Sequence, residues 1–256
     1  MKIALFSDIH ANLPALEAVL ADMDSRQPDA VYCLGDLVGY APWPNEVINL
    51  IRKRHIPTIA GNYDEGIGLG SNECGCAYKA DKEKSMGGIS ISYTNELVKD
   101  EERDYLRSLP RHIRLEFEAQ PEKLQVLMVH GSPRKINEYL FEDRQEKSML
   151  RIMEEANADL MFFGHTHKPY HRKLAYEVDG GSFYRHAINI GSVGKPKDGD
   201  PRAGYVMLHI DHNASRLNPS SFEVEFIRLD YDVEKAAKAV EESPLPNEYA
   251  EMLRKG

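Results

Sequence analysis

The chain has 256 residues, of which 42% are hydrophobic and 29% charged, which is enough for a sizeable core in one large domain or two small ones. A formal net charge of -9 argues against a protein whose main business is gripping nucleic-acid backbone, because no basic surplus exists to displace counterions. No apolar stretch is long enough to span a membrane, MKIALFSDIH lacks the apolar core and cleavage site of a signal peptide, and three cysteines are too few for a disulfide framework.

Lys2 to Ser7 is a short apolar run that predicts a buried strand. Leu13, Leu16, Leu20 and Met23 follow at helical spacing, with Asn12 as cap and Pro14 in the first turn. Ala30 to Leu34 reads as a second strand, ending at Gly35 and Asp36. Pro44 opens a helix striped by Val47, Ile48 and Ile51, and Ile56 to Ala60 reads as a third strand, ending at Gly61, Asn62, Tyr63 and Asp64. Strand and helix alternating at this pace predict crossover units and a parallel sheet.

The polar segment from about 72 to 109 predicts a helical insert on the rim of a site, with helices near Lys82 to Leu97 and Glu101 to Leu109. Within it, Cys74 and Cys76 lack two further zinc ligands nearby and read as reduced loop thiols, while Cys33 reads as a small core residue. This cysteine usage points to a reducing cytoplasm. Arg114 to Glu118 and Leu124 to Val129 predict two strands with a turn at Pro121, the second running into His130-Gly131. Arg144 to Ala156 reads as a helix and Leu160 to Phe163 as a strand ending at Gly164, His165 and His167. Strand-like stretches follow at Tyr170 to Val178, Phe183 to Ile190, Tyr205 to Ile210 and Phe222 to Leu229. Their short connections predict an antiparallel second sheet packed on the first. Val233 to Glu242 and Pro246 to Lys255 read as helices. Without a repeat or a separating linker, residues 1–256 are expected to form a single domain.

One event recurs five times. A short apolar strand ends, and oxygen- or imidazole-bearing residues follow at once: Asp8 and His10, Asp36, Asn62, His130, then His165 and His167. In open α/β sheets, ligands bind beyond the carboxyl ends of the strands. Residues at i and i+2 of an extended chain point the same way, so Asp8 with His10 and His165 with His167 are each expected to offer two groups to one site. Taken singly, an Asp after a strand is more often a helix cap and an Asn after Gly a turn. Five strand ends carrying mostly metal-ligand residue types are a different matter.

The pattern resembles the calcineurin-like metallophosphoesterase superfamily, in particular its small bacterial and archaeal cytoplasmic phosphodiesterases and phosphatases. The motifs stand as SDIH (7–10), GDLVGY (35–40), GNYD (61–64), VHG (129–131) and GHTH (164–167), all in order, and NIGSVGKPKDGDPRAGY (189–205) also looks like the stretch that follows in small members. The resemblance implies an α/β four-layer α-β-β-α sandwich of two mixed sheets flanked by helices, with a metal site at the C-terminal ends of the strands. It implies two divalent metal ions. One takes Asp8, His10, Asp36 and His167; the other takes Asp36, Asn62, His130 and His165, with Asp36 bridging. Oxygen and nitrogen ligands without thiolate suit Mn²⁺ foremost, and Fe, Zn²⁺ or Ni²⁺ as alternatives.

Two divalent ions facing only two carboxylates leave a net positive site, which attracts an anionic ester. A metal pair also supplies hydroxide and clamps an in-line displacement. The expected activity is hydrolysis of phosphodiesters or nucleotide phosphoanhydrides by a two-metal hydroxide mechanism, on a small-molecule substrate. The catalytic set is Asp36, Asn62, Tyr63, Asp64 and His130. Many superfamily members carry His where this chain has Tyr63, and that His is thought to protonate the leaving oxygen. A phenol is a weaker acid than imidazolium, so activated esters are expected to be favoured, and the usual role of Asp64 in orienting that His loses its object. Arg134, Lys195, Lys197 and Arg202 are candidates for holding a second phosphate, and Tyr40 and Trp43 for stacking on a base. His55, His112, His171, His186, His209 and His212 match no motif. The alternative readings are a non-catalytic metal-binding scaffold of the same fold and a phosphoprotein phosphatase.

Overall fold

The first strand sets the layering. In β1 (Lys2–Phe6) alternate residues leave by opposite faces. Ile3 and Leu5 enter a cluster with Leu160, Phe162, Val206 and Leu208, while Ala4 and Phe6 join Leu16, Val19 and Met23 of α1 (Leu13–Arg26). The computed structural model describes residues 1–77, 80–119 and 122–256. Asn12 caps α1, its side chain accepting from the Ala15 amide at 3.2 Å, and the helix buries Leu16, Val19, Leu20 and Met23.

β1 pairs in parallel with β2 (Ala30–Cys33) and antiparallel with β8 (Ala203–Ile210), which pairs with β9 (Phe222–Leu229). The second sheet runs β3 (His112–Ala119), β4 (Glu122–Val129), β5 (Leu160–Phe163), β7 (Gly181–Asn189), β6 (Tyr170–Val178). In β5, Leu160 and Phe162 fill the space between the sheets, and Met161 and Phe163 pack with Met149, Ile152 and Met153 of α6 (Glu146–Glu155). On the outer side of the first sheet, α2 (Pro44–Lys53) contributes Val47, Ile48 and Ile51. The result is a four-layer sandwich of two mixed sheets between helices. Strands apolar on both faces are buried on both, as in α/β folds generally.

Two sequence expectations need correction. Ile56 to Ala60 is not a strand: it makes one bridge, Thr58 beside Cys33. Pro57 has no N–H to give, and the Ala60 amide turns away to the Pro110 carbonyl at 2.7 Å. Second, the last four strands do not make one antiparallel sheet. The β6–β7 hairpin extends the second sheet through β7, while β8 and β9 return to β1. The cause is two-sided apolarity in β8: Val206 and Leu208 fill the inter-sheet core, and Tyr205 and Met207 face the helical layer, which demands a central position. GNYD also opens a helix that the sequence did not suggest, α3 (Asn62–Gly68). Gly66 and Gly68 hide it, because glycine is a poor helix former, but Asp64 at its third position accepts from the Gly61 amide and so satisfies a first-turn donor.

The helices near 81–109 appear as α4 (Asp81–Leu97) and α5 (Asp100–Ser108), and the C-terminal pair as α7 (Val233–Glu241) and α8 (Asn247–Lys255). The turn expected at Pro121 lies outside the described residues. Among the described residues, no helix is long and apolar enough to cross a membrane.

Candidate metal centre

Parallel pairing of β1 with β2, and of β4 with β5, brings their following loops to one edge of the sandwich. There Asp8, His10, Asp36, Asn62, His130, His165 and His167 converge, each at most 3% exposed. They do not converge in the way an extended chain would allow. Asp8, His10, Asp36, His165 and His167 have φ of 55, 50, 54, 63 and 60°. Left-handed backbone at non-glycine residues costs energy and clusters at functional sites. The two i, i+2 pairs therefore reach the site through left-handed turns, not through strand geometry, and His165 and His167 end in different halves of it.

The ligand-type atoms fall into two triads: Asp8, His10 and His167, and Asp36, His130 and His165, each with its atoms within 4.8 Å of one another. Each carboxylate has one oxygen held by a backbone amide. Asp36 Oδ1 accepts from Tyr63 N at 2.9 Å and Asp8 Oδ2 from His165 N at 3.1 Å. The other oxygens face inward. Asp36 Oδ2 lies 3.6 Å from His10 Nε2 and 3.3 Å from His130 Nε2, and so stands between the triads. Asp8 Oδ1 lies 3.1 Å from His167 Nε2.

The imidazoles supply the test of fit. His10 Nδ1 donates to the Val38 carbonyl at 3.0 Å, His130 Nδ1 to Leu34 at 2.8 Å, and His167 Nδ1 to Lys195. With Nδ1 carrying the proton, Nε2 of each neutral ring presents a lone pair. Yet His10 Nε2 faces His167 Nε2 at 3.2 Å, and His130 Nε2 faces Asn62 Oδ1 at 3.2 Å. The Asn62 amide is oriented the same way, because its Nδ2 donates to the Cys74 carbonyl at 2.8 Å. Acceptors thus point at acceptors in a dry place. Asp8 Oδ1 and His165 Nε2 are buried with no hydrogen-bond partner among the described residues. Metal cations resolve such a set, and mixed oxygen and imidazole donors suit divalent transition metals.

Charge tells the same story. Burial and then the charge of His130 push His165 down to about 3. Burial likewise takes His10 to about 3 against the pull of Asp36. At His130 burial opposes charge, but the adjacent Asp36 carboxylate wins and raises its pKa to about 10. Without metal, the centre draws a proton onto one imidazole to offset its two carboxylates.

A model of the calcineurin-like phosphoesterase superfamily domain matches residues 1–213. The chain belongs to the calcineurin-like phosphoesterase superfamily. An uncharacterised protein of Methanocaldococcus jannaschii is 34% identical over 263 residues, covering 98% of this chain and 96% of its own. A metallophosphoesterase from Sphaerobacter thermophilus is similar in structure, with 29% identity, a TM-score of 0.74 and coverage of 100% of this chain and 99% of that one. A hypothetical protein of Pyrococcus horikoshii, 22% identical with a TM-score of 0.76 over 98% and 97% of the two chains, shares the fold. The family uses divalent metals, and membership supports metal-dependent hydrolysis of phosphate esters as the class of chemistry.

The glycines of the phosphoesterase motifs are explained by close approach. A Cβ on Gly61 would stand 2.1 Å from Asp36 Oδ1, and one on Gly164 2.3 Å from Asp8 Oδ2. Asp64 has no contact with the open site. Its oxygens accept from the Leu37 amide at 2.8 Å and the Gly61 amide at 2.9 Å, tying the second motif loop to the third. Burial, then the charge of Asp36, push its pKa up to about 7. Its observed contacts are those of a positioning residue, whereas the sequence placed it in the catalytic set.

Several supporting residues were not legible in the sequence. Asn189 donates to Gly164 O at 2.8 Å and Thr166 Oγ1 at 2.9 Å, holding the GHTH loop. Ser192 Oγ donates to the Asp8 carbonyl at 2.7 Å. Cys74 orients Asn62 through a backbone carbonyl, which any residue type offers. The NIGS stretch was the one available signal, and it carried no role.

The centre opens into a cavity of about 570 Å³, lined by Tyr40, Tyr63, Tyr139, Phe141, Lys195 and Lys197 among others. Lys195 is 7% exposed, with Nζ 4.7 Å above the Tyr40 ring; burial and neighbouring Lys197 lower its pKa to about 7. The other weak candidates go elsewhere. Arg134 pairs with Glu138 and lines a separate cavity, Arg202 pairs with Asp200, and Trp43 packs against the C-terminal helices.

Proposed function

We propose that this protein hydrolyses phosphate esters with two divalent ions, one held by Asp8, His10, Asp36 and His167 and the other by Asp36, Asn62, His130 and His165. The observation that carries the reading is the single oxygen, Asp36 Oδ2, standing within 3.6 Å of His10 Nε2 and 3.3 Å of His130 Nε2 among lone pairs that face one another. When bound, such an ion pair polarises phosphoryl oxygens and makes hydroxide available near neutral pH.

The chain's own residues do the rest. Backbone amides of Tyr63 and His165 fix the two carboxylates, so their inward oxygens need no reorganisation. Carbonyls of Val38, Leu34 and Lys195 hold three imidazoles in the tautomer that leaves Nε2 open. Lys195 and Lys197 line the cavity wall, where an arriving anionic ester favours their protonated forms and is held by them. Tyr63, whose ring lies 5.4 Å from that of His10, offers its phenol to the leaving oxygen. A phenol gives up its proton less readily than imidazolium, so phosphodiesters with good leaving groups and nucleotide phosphoanhydrides are the preferred substrates, ahead of alkyl monoesters. The net charge of -9 favours a small-molecule ester over nucleic acid, and the cysteine usage a cytoplasmic setting. The test is turnover of bis-p-nitrophenyl phosphate with Mn²⁺, with and without chelator. Turnover that stops on chelation supports the reading; an inert, metal-replete protein contradicts it.

A further inference from the structure

Two aromatic groups flank the centre, and they differ in what covers them. On the His10 side, Tyr40 and Tyr249 meet edge to face at 5.0 Å, and Lys195 Nζ sits 4.7 Å over the first ring and 5.6 Å over the second. That group is already packed. On the other side, Tyr139 lies 4.0 Å from the ring of His165, and Phe141 lies parallel to Tyr139, 9° between planes and 5.6 Å between centroids. Phe141 is 47% exposed beside a polar, anion-seeking site, although both rings line the same cavity. The segment between them is not loose. Leu140 is fully buried against Met149 and Phe163, and its carbonyl accepts from Tyr170 Oη at 2.8 Å. Alternation therefore drives Leu140 into the core and turns Tyr139 and Phe141 together toward the cavity.

We infer that the parallel Tyr139–Phe141 pair is a stacking platform for a nucleobase, so that the ester cleaved at the centre carries a nucleoside. This rests on the hydrolase reading and narrows its substrate class. A planar ring satisfies the flat, exposed face of Phe141, and the cavity's lysines, Lys168, Lys195 and Lys197, match the phosphate that such a ring would bring. Stacking of a base on an aromatic side chain is sequence-tolerant, because every base has a π-face. The platform therefore recognises nucleotides as a class and does not choose among bases.

The experiment titrates the Mn²⁺-loaded full chain with adenosine 5′-monophosphate and, separately, with ribose 5-phosphate, by calorimetry. The wild type is expected to bind the nucleotide roughly 10-fold more tightly than the sugar phosphate. Phe141→Ala should remove that advantage while leaving ribose 5-phosphate binding unchanged, and Phe141→Trp should restore it. Phe141 is exposed, so the variants keep the fold, which circular dichroism checks. Equal binding of the two ligands by wild type, no binding of either, or an advantage that survives Phe141→Ala would overturn the platform. The two readings fail separately: a protein without turnover that keeps the nucleotide advantage loses the hydrolase and keeps the platform, and the converse result loses only the platform.

Discussion

Two histidine pairs in this protein look alike and mean different things. His10 and His167 approach through Nε2 atoms 3.2 Å apart; His171 and His186 approach through Nε2 and Nδ1 at 2.9 Å. In the first pair both Nδ1 atoms are committed to backbone carbonyls, so two lone pairs face one another. In the second, one ring donates and the other accepts on the β6–β7 hairpin beside Phe222, so no two lone pairs face one another, although His186 Nε2 is left buried with no hydrogen-bond partner among the described residues. Proximity of imidazoles is thus no evidence of a metal. What the far nitrogen is doing decides whether the near one needs a cation.

The comparison breaks most visibly at the carboxylate that serves both triads. Asp36→Asn removes the charge between them and should cut turnover on the order of 10³-fold, since metal charge stabilisation amounts to several kcal/mol. Metal content should fall below two per chain by elemental analysis. Full activity with both metals retained would end the assignment.

Chelation separates the two pairs next. Metal at about 100 times its dissociation constant stabilises a fold by about 2.7 kcal/mol, so chelator should lower the melting temperature of wild type and of His186→Leu alike. His167→Ala, which removes a ligand of the first ion only, should show a smaller response. A His167→Ala protein with the full chelator shift would mean the first triad holds no ion.

Acid acts on the other pair. Burial takes His171 down to about 4 and His186, with the charge of His171 adding, to about 3. Both folded values lie below the ordinary 6.5, so the unfolded chain binds protons first. The stability these rings contribute is complete above about pH 6.5 and is lost as pH falls toward 4 and then 3, on the order of 2 kcal/mol. With metal chelated throughout, melting from pH 7 to 4 should fall less steeply in His186→Leu than in wild type. Parallel slopes would contradict the neutral, buried pair.

The smallest effect concerns the leaving group. Tyr63→His should raise kcat/KM for an alkyl ester by about 10-fold more than for a nitrophenyl ester, because an imidazolium is the better acid where the leaving oxygen needs one. Equal loss on both would show that Tyr63 does not stand in the acid's place.

Much of the centre was legible in the sequence because its side chains must be of ligand type, and each stands right after an apolar run. Asp8, His10, Asp36, Asn62, His130, His165 and His167 carry that double signal. The layers were legible for a similar reason: Leu160 to Phe163 is apolar on both faces and admits only a buried strand. What escaped is held by backbone. The Cys74 carbonyl turns Asn62, and the Tyr63 amide fixes Asp36, and neither depends on a side chain. The sheet to which β8 belongs also escaped, since a strand with two apolar faces fits the middle of either. Tyr139 and Phe141 escaped because an aromatic on either side of Leu140 has the pattern of an ordinary half-buried segment.

The most direct measurement is an anomalous difference map from a crystal of the wild type grown with Mn²⁺. Two peaks about 3.5–4 Å apart are expected, one among Asp8, His10 and His167 and one among Asn62, His130 and His165, with Asp36 between them. A single peak, or an Asn62 side chain turned away from the second, would contradict the two-ion centre.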